Sequence, residues 1–219
     1  GQDLGSAMQP HEYSVIGHSR ASIGRYLAIA AGVLASITAT IATLGLGAAQ
    51  FLGLPTSETN VVLVPLNAAT FYLIGHASFD KWIWRRKFVQ SLLGIPDLNG
   101  VWECEGETIG DDGGVTYHWN AKVTINQTWE RIRIYLNTGQ SCSRSKSAAL
   151  VREPGRGYVL MYSYQNEPKI GEPELRTHVG YCELQLDESL GTAEGNYFNN
   201  RGRVTFGRMK LVRKEPANV

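Results

Sequence analysis

Between Tyr26 and Ser57 the chain carries no Lys, Arg, Asp or Glu, and Glu58 alone interrupts the run before Asp80. The 23 residues Leu27–Ala49, rising about 1.5 Å each as a helix, cover a hydrocarbon core of about 30 Å. A second run, Val61–Phe79, is just long enough to do the same. The breaker-rich turn between them, residues 53–60, is short enough that two spans must form an antiparallel hairpin. Arg20 and Arg25 precede the first span, Lys81, Arg85, Arg86 and Lys87 follow the second, and the turn holds no basic residue. The positive-inside rule then puts both chain ends in the cytoplasm. A purely soluble globular protein is excluded, and a second span following directly argues against a secretory signal.

Small residues repeat along the first span at i, i+4 spacing. Ala28, Gly32, Ser36 and Thr40 form one stripe, and Ala31, Ala35, Ala39, Thr43 and Gly47 an adjoining one. Such stripes let helices approach closely in lipid. The expectation is that one packs inside the hairpin, while Gly32 and Ser36 face neighbouring protomers. Asn67 and His76 are costly in lipid and should face protein or water, by an interhelical hydrogen bond or a polar pore lining.

The character changes after the juxtamembrane segment 88–96, which is expected to be helical over Phe88–Leu93. From Asp97 to residue 214 the pattern predicts strands at Val101–Glu107, Tyr117–Trp129, Ile132–Thr138, Ser143–Val151, Tyr158–Asn166, His178–Asp187, Ala193–Phe198 and Arg203–Val212. Turn signals such as Gly110-Asp111-Asp112-Gly113-Gly114 separate them. The fold class is therefore a two-helix transmembrane hairpin over residues 21–87, followed by an all-β, about eight-stranded antiparallel barrel able to hold one small ligand. Residues 1–20 are an N-terminal tail, its first eight residues set aside as an expression remnant.

Alternation along each strand assigns an inner face. It places Trp102 and Cys104 inside, then Val123, Ile125, Gln127 and Trp129, then Ile132, Ile134, Leu136 and Thr138. Ser143, Ser145 and Ala149 follow, then Tyr162, Tyr164 and Asn166, then His178, Gly180, Cys182, Leu184 and Leu186, with Tyr197 and, by parity, Arg201. Polar groups inside a barrel are expensive unless paired. Gln127, Thr138, Ser143, Ser145, Tyr162, Tyr164, Asn166, His178, Tyr197 and Arg201 therefore read either as mutually satisfied core groups or as the lining of a polar-ligand pocket. Three cysteines without a C-x-x-C pair read as buried thiols. No catalytic motif or metal-ligand spacing is present, so no enzyme, metal or cofactor is expected. With 21 Lys and Arg against 20 Asp and Glu, the net charge of +1 argues against DNA or RNA binding.

The ordered set Gly100-Val101-Trp102, Ile125-Asn126-Gln127-Thr128-Trp129, Ser141-Cys142-Ser143-Arg144-Ser145, Tyr162-Ser163-Tyr164-Gln165-Asn166-Glu167-Pro168, His178-Val179-Gly180 and Gly195-Asn196-Tyr197, with Arg201 and Gly207, resembles a known family. These are the two-transmembrane, β-strand-rich effectors of bacterial CBASS anti-phage systems, associated with CD-NTase cyclases. The resemblance implies a barrel that binds a cyclic oligonucleotide, typically a 3′,3′-cyclic dinucleotide made by a neighbouring cyclase. It also implies a homo-oligomer whose hairpins disrupt the inner membrane and kill the infected cell. Aromatic faces for bases and hydroxyl or guanidinium donors for phosphates suit such a ligand. The alternatives are a membrane-anchored, lipocalin-like carrier of an apolar ligand, which the polar interior disfavours, and a membrane enzyme, which lacks a nucleophile–base pair.

Overall fold

In the computed structural model, residues 10–17, 19–54, 67–169, 171, 177–200 and 204–214 are described. They form two compact units: His18–Arg86, and a second that joins the N-terminal strand to everything from Lys87 onward.

The helical unit begins with α1, Arg20–Phe51, 32 residues long. It is the one helix among the described residues long and apolar enough to cross a bilayer. Ile29, Val33, Ile37, Ile41 and Leu44 are all exposed along it, as suits a face turned to lipid. The hydroxyls of Ser36, Thr38, Thr40 and Thr43 donate to the carbonyls of Gly32, Leu34, Ser36 and Ala39 at 2.8–2.9 Å. An apolar helix can therefore carry these polar side chains without leaving them unpaired. α2, Ala68–Lys81, packs against α1. Of the expected second span, residues 61–66 lie outside the described residues. Asn67 lies at the N-cap of α2, its side-chain oxygen accepting from Thr70 N at 3.0 Å. Its side-chain oxygen thus serves the first turn of its own helix.

In the second unit α3, Lys87–Leu93, ends at Gly94, whose φ of +64° turns the chain out of the helix. The strands are β1 His11–Ile16, β2 Gly100–Ile109, β3 Val115–Gln127, β4 Arg131–Thr138, β5 Ser141–Glu153, β6 Gly157–Pro168, β7 His178–Leu186, β8 Thr192–Asn200 and β9 Thr205–Arg213. They pair in the order β1-β4-β3-β2-β9-β8-β7-β6-β5 as a closed barrel, with β4 also touching β5.

Each of the eight segments expected to be strands overlaps one of β2–β9. The ninth strand is a correction: part of the N-terminal segment expected as a tail is β1, inserted between β4 and β5. The inner face is buried largely as alternation predicts, from Trp102 and Cys104 on β2 to Leu184 and Leu186 on β7. Ala149 is a second correction. A bulge between Ser145 and Ser147 shifts the phase of β5, and Leu150 is buried in its place.

One end of the barrel is a floor built by the linker. Gln127 Oε1 accepts from Leu98 N at 2.8 Å, and its amide nitrogen donates to Tyr13 OH at 3.0 Å and Pro96 O at 3.3 Å. Asn99 closes the same corner against the Gln127 backbone at 2.6 and 2.8 Å. Arg213 donates to the carbonyl of Asp97 at 3.1 Å and to that of Asn99, its guanidinium lying over the Trp102 ring. Both segments leading to the helical unit leave at this floor end: β1 finishes beside Val151, near the end of β5, and β2 starts opposite Ile125, near the end of β3.

Candidate functional site

The opposite half of the barrel is hollow. A cavity of about 360 Å³ lies among the end of β2, the start of β3, the β4–β5 turn, the end of β6, the start of β7, the end of β8 and the start of β9. It is at the lower end of the range typical for small-molecule sites.

Of the residues expected to line a pocket, the structure brings Thr138, Ser143, Ser145, Tyr162, Tyr164, Asn166, His178 and Tyr197 to this cavity. Gln127 is not among them. It is buried as alternation predicts, but at the floor, where its amide holds the linker. Arg201 lies outside the described residues. The hydroxyl of Thr138 accepts from Gln140 N and Ser141 N at 3.2 and 2.9 Å and donates to Ser141 O, so it builds the β4–β5 turn.

Three aromatic rings shape the space, and each rests on a glycine. A Cβ at Gly180 would stand 2.5 Å from the Tyr164 phenol, one at Gly207 2.8 Å from Tyr197, and one at Gly106 2.2 Å from the Trp119 indole. Only a missing side chain lets each ring lie flat on the wall. Trp119 meets Tyr197 edge-on, centroids 5.6 Å apart, and its indole N–H donates to the Tyr197 hydroxyl at 3.1 Å. Thr108 Oγ1 reaches the same hydroxyl at 2.9 Å. Tyr164 donates to Asn199 Oδ1 at 2.6 Å, and the Asn199 amide donates to Thr205 Oγ1 at 2.7 Å. Tyr162 lies beside Tyr164, ring centroids 6.0 Å apart.

Burial pushes the Tyr164 and Tyr162 hydroxyls well above the usual tyrosine range, with the Cys182 thiol adding to the effect. Both stay neutral hydrogen-bonding groups at physiological pH.

On the β6–β7 side the Asn166 amide donates to His178 Nε2 at 3.1 Å. Its oxygen is buried without a hydrogen-bond partner. A buried acceptor left this way is expensive. The lining has no Lys, Arg, Asp or Glu among the described residues, and no group of three or more His, Cys, Asp or Glu among them could hold a metal. The equipment is flat π-faces, neutral hydroxyls and amides. Sequence reasoning missed Thr108, Trp119 and Asn199, although Trp119 has the inner parity within the segment Tyr117–Trp129, and Thr108 and Asn199 follow one residue beyond theirs.

Fold and cavity together define a class: a small-ligand receptor barrel joined in one chain to apolar helices. Residues 93–213 match the family described as Cap15, cyclic dinucleotide receptor domain, and residues 21–85 match Cap15, TM helices. The chain is 37% identical over 211 residues, 96% of its own length and 100% of the relative's, to CD-NTase-associated protein 15 of Yersinia aleksiciae. The chain belongs to the Cap15 family, carrying its transmembrane-helix and cyclic dinucleotide receptor domains.

Proposed function

We propose that this chain is a CBASS effector that acts by binding rather than catalysis. A cyclic dinucleotide enters the barrel cavity, the protein oligomerises, and its helices breach the inner membrane. The observation that carries the ligand is the cavity itself, walled by Tyr162, Tyr164, Trp119 and Tyr197 with Asn166 and Asn199 between them. Bases stack on such rings for about 1–3 kcal/mol each. With no charged lining group described, phosphates are met by hydroxyls and amides, and by Arg201 if its side chain reaches them. The same polar lining disfavours an apolar cargo.

The membrane topology has support independent of the basic residues. β1 precedes α1, while β2–β9 follow α2, yet all nine strands belong to one barrel. Both ends of the helical unit must therefore emerge on one side of the bilayer, so the chain crosses an even number of times. A two-span hairpin with both termini and the barrel in the cytoplasm satisfies this.

In the helical unit Ala31 is buried and Ser36 exposed. Ala35 is half-buried, while Ala39, Thr43 and Gly47 further along the same stripe are exposed. Only the Ala31 end of that stripe packs inside the helical unit, and we assign the exposed Ser36, with Gly32, to contacts with neighbouring protomers.

The test is calorimetry on the detergent-solubilised full chain with 3′,3′-cyclic di-AMP, di-GMP, di-UMP and UMP–AMP, followed by dye release from liposomes. At least one should bind and trigger leakage. Asn166→Ala, Trp119→Ala and Arg201→Ala should each weaken binding with the melting curve retained. Binding by none of the four, or leakage indifferent to the one that binds, overturns the reading.

A further inference from the structure

Residues 10–17 precede both matched regions, which start at 21 and 93, yet they build part of the receptor wall. β4 and β5 pair directly only over Tyr135–Asn137 and Cys142–Arg144. At the bulge after Ser145 they part, and β1 fills the gap. His11 and Glu12 oppose Ile132 and Arg131 of β4, while Tyr13–Ile16 run parallel to Ala148–Val151 of β5.

Ser145 stands at the fork, 4% exposed and lining the cavity. Its Oγ accepts from Ile134 N at 3.0 Å and lies 2.7 Å from His11 Nε2. His11 Nδ1 is 2.8 Å from the Glu12 carbonyl oxygen, which can only accept, so the ring proton sits on Nδ1. Nε2 is then the acceptor, and the Ser145 hydroxyl donates to His11.

We infer that β1 is a seam strand whose docking and cyclic dinucleotide binding favour each other, with His11 the positioning residue that fixes Ser145 in the cavity wall. The inference rests on reading the cavity as a cyclic dinucleotide site. β1 is lightly held: six residues long, with Tyr13 its one buried side chain. When it leaves, Arg131–Ile132 and Ala148–Val151 lose their partners and Ser145 loses its acceptor beside the ligand space. A ligand that needs this wall intact binds the docked form better, and linkage makes the effect reciprocal. Because Gly17–Ser19 join β1 directly to α1, ordering the strand ties occupancy of the cavity to the start of the membrane helix.

Hydrogen exchange on the full chain in detergent, with the same four dinucleotides, tests this. A dinucleotide that protects the amides of β6 and β7 should also slow exchange over residues 11–16. His11→Ala should weaken its affinity about three- to tenfold, and that loss should vanish in a Ser145→Ala background. His11→Gln, which keeps an acceptor, should retain most of the affinity. Protection of β6 and β7 with β1 unchanged or faster overturns the coupling and leaves the ligand reading intact. So does a His11→Ala loss that persists without Ser145. The exchange comparison needs no variant, so it stands even if His11→Ala fails to fold. Failure of every dinucleotide to protect β6 and β7 overturns both.

Discussion

The phenol of Tyr164 occupies the space that a side chain at Gly180 would need: a Cβ there would lie 2.5 Å from the ring and 2.6 Å from Asn199 Oδ1. Glycine on β7 thus sets the tilt of a ring on β6, and through it the hydrogen bond to β8. Gly180→Ala should push Tyr164 off its seat. The cost is on the order of 1–3 kcal/mol of barrel stability, with a larger proportional loss in ligand affinity than Tyr164→Phe, which keeps the ring and loses only the bond to Asn199. Thermal melts paired with calorimetry on both variants check the order.

Gln127 gives the opposite pattern. Its amide bonds to Leu98, Tyr13 and Pro96 at the floor, away from the cavity. Gln127→Leu leaves the Leu98 N–H buried and unpaired, a loss of about 1–3 kcal/mol. The melting temperature should fall, while calorimetry well below the transition should show a smaller loss of affinity than Asn166→Ala, transmitted through the lost bond to Tyr13 of β1.

Burial raises the Cys104 and Cys182 thiols from 9.0 to about 12, Cys182 and Glu105 adding to the effect at Cys104 and Glu183 at Cys182. Because the folded-state values are raised, the unfolded chain ionises first. The contribution to stability is whole below pH 9 and is lost as pH climbs from 9 towards 12, by about 1.4 kcal/mol per pH unit for each thiol. Urea unfolding of the solubilised full chain, followed by tryptophan fluorescence at pH 8, 9 and 10, should show this fall. Cys104→Ala/Cys182→Ala should show a shallower one.

Gly32→Leu/Ser36→Leu should reduce crosslinked oligomers and dye release, and should cost the full chain ligand affinity only through the linkage of binding to assembly, since neither residue belongs to the barrel. A Cβ at Gly32 meets nothing within 4 Å among the described residues, so Gly32→Ala with Ser36→Ala, which add no bulk beyond Cβ, serve as the control for a clash within the helical unit. Parent-like leakage would confine the stripe to a passive role.

Period-two alternation made most of the barrel readable, because one buried face constrains every second residue. It identifies a face, not a depth. Gln127 and Tyr164 share an inner phase, yet one belongs to the floor and the other to the cavity. Ala149 was misassigned because a bulge is a backbone event with no residue signature here. β1 was missed because six residues with one buried side chain carry too little pattern, and its partners lie far along the chain. The glycine seats under Tyr164, Tyr197 and Trp119 were visible as letters, but their meaning needs the register between strands.

The seam also dictates the order in which this protein can be made. His11 and Ser145 are separated by 134 residues, with both apolar segments between them, so the first strand to leave the ribosome is among the last to find its place. Each nascent chain must commit α1 to the bilayer before the partners of β1 exist. Closing so long a loop carries an entropic cost and slows the step. Barrel closure therefore becomes a late checkpoint of biosynthesis, reached only after β9, which ends at Arg213, has been synthesised to join β2 to β8. Until then the newborn protein sits in the membrane with an unsealed receptor.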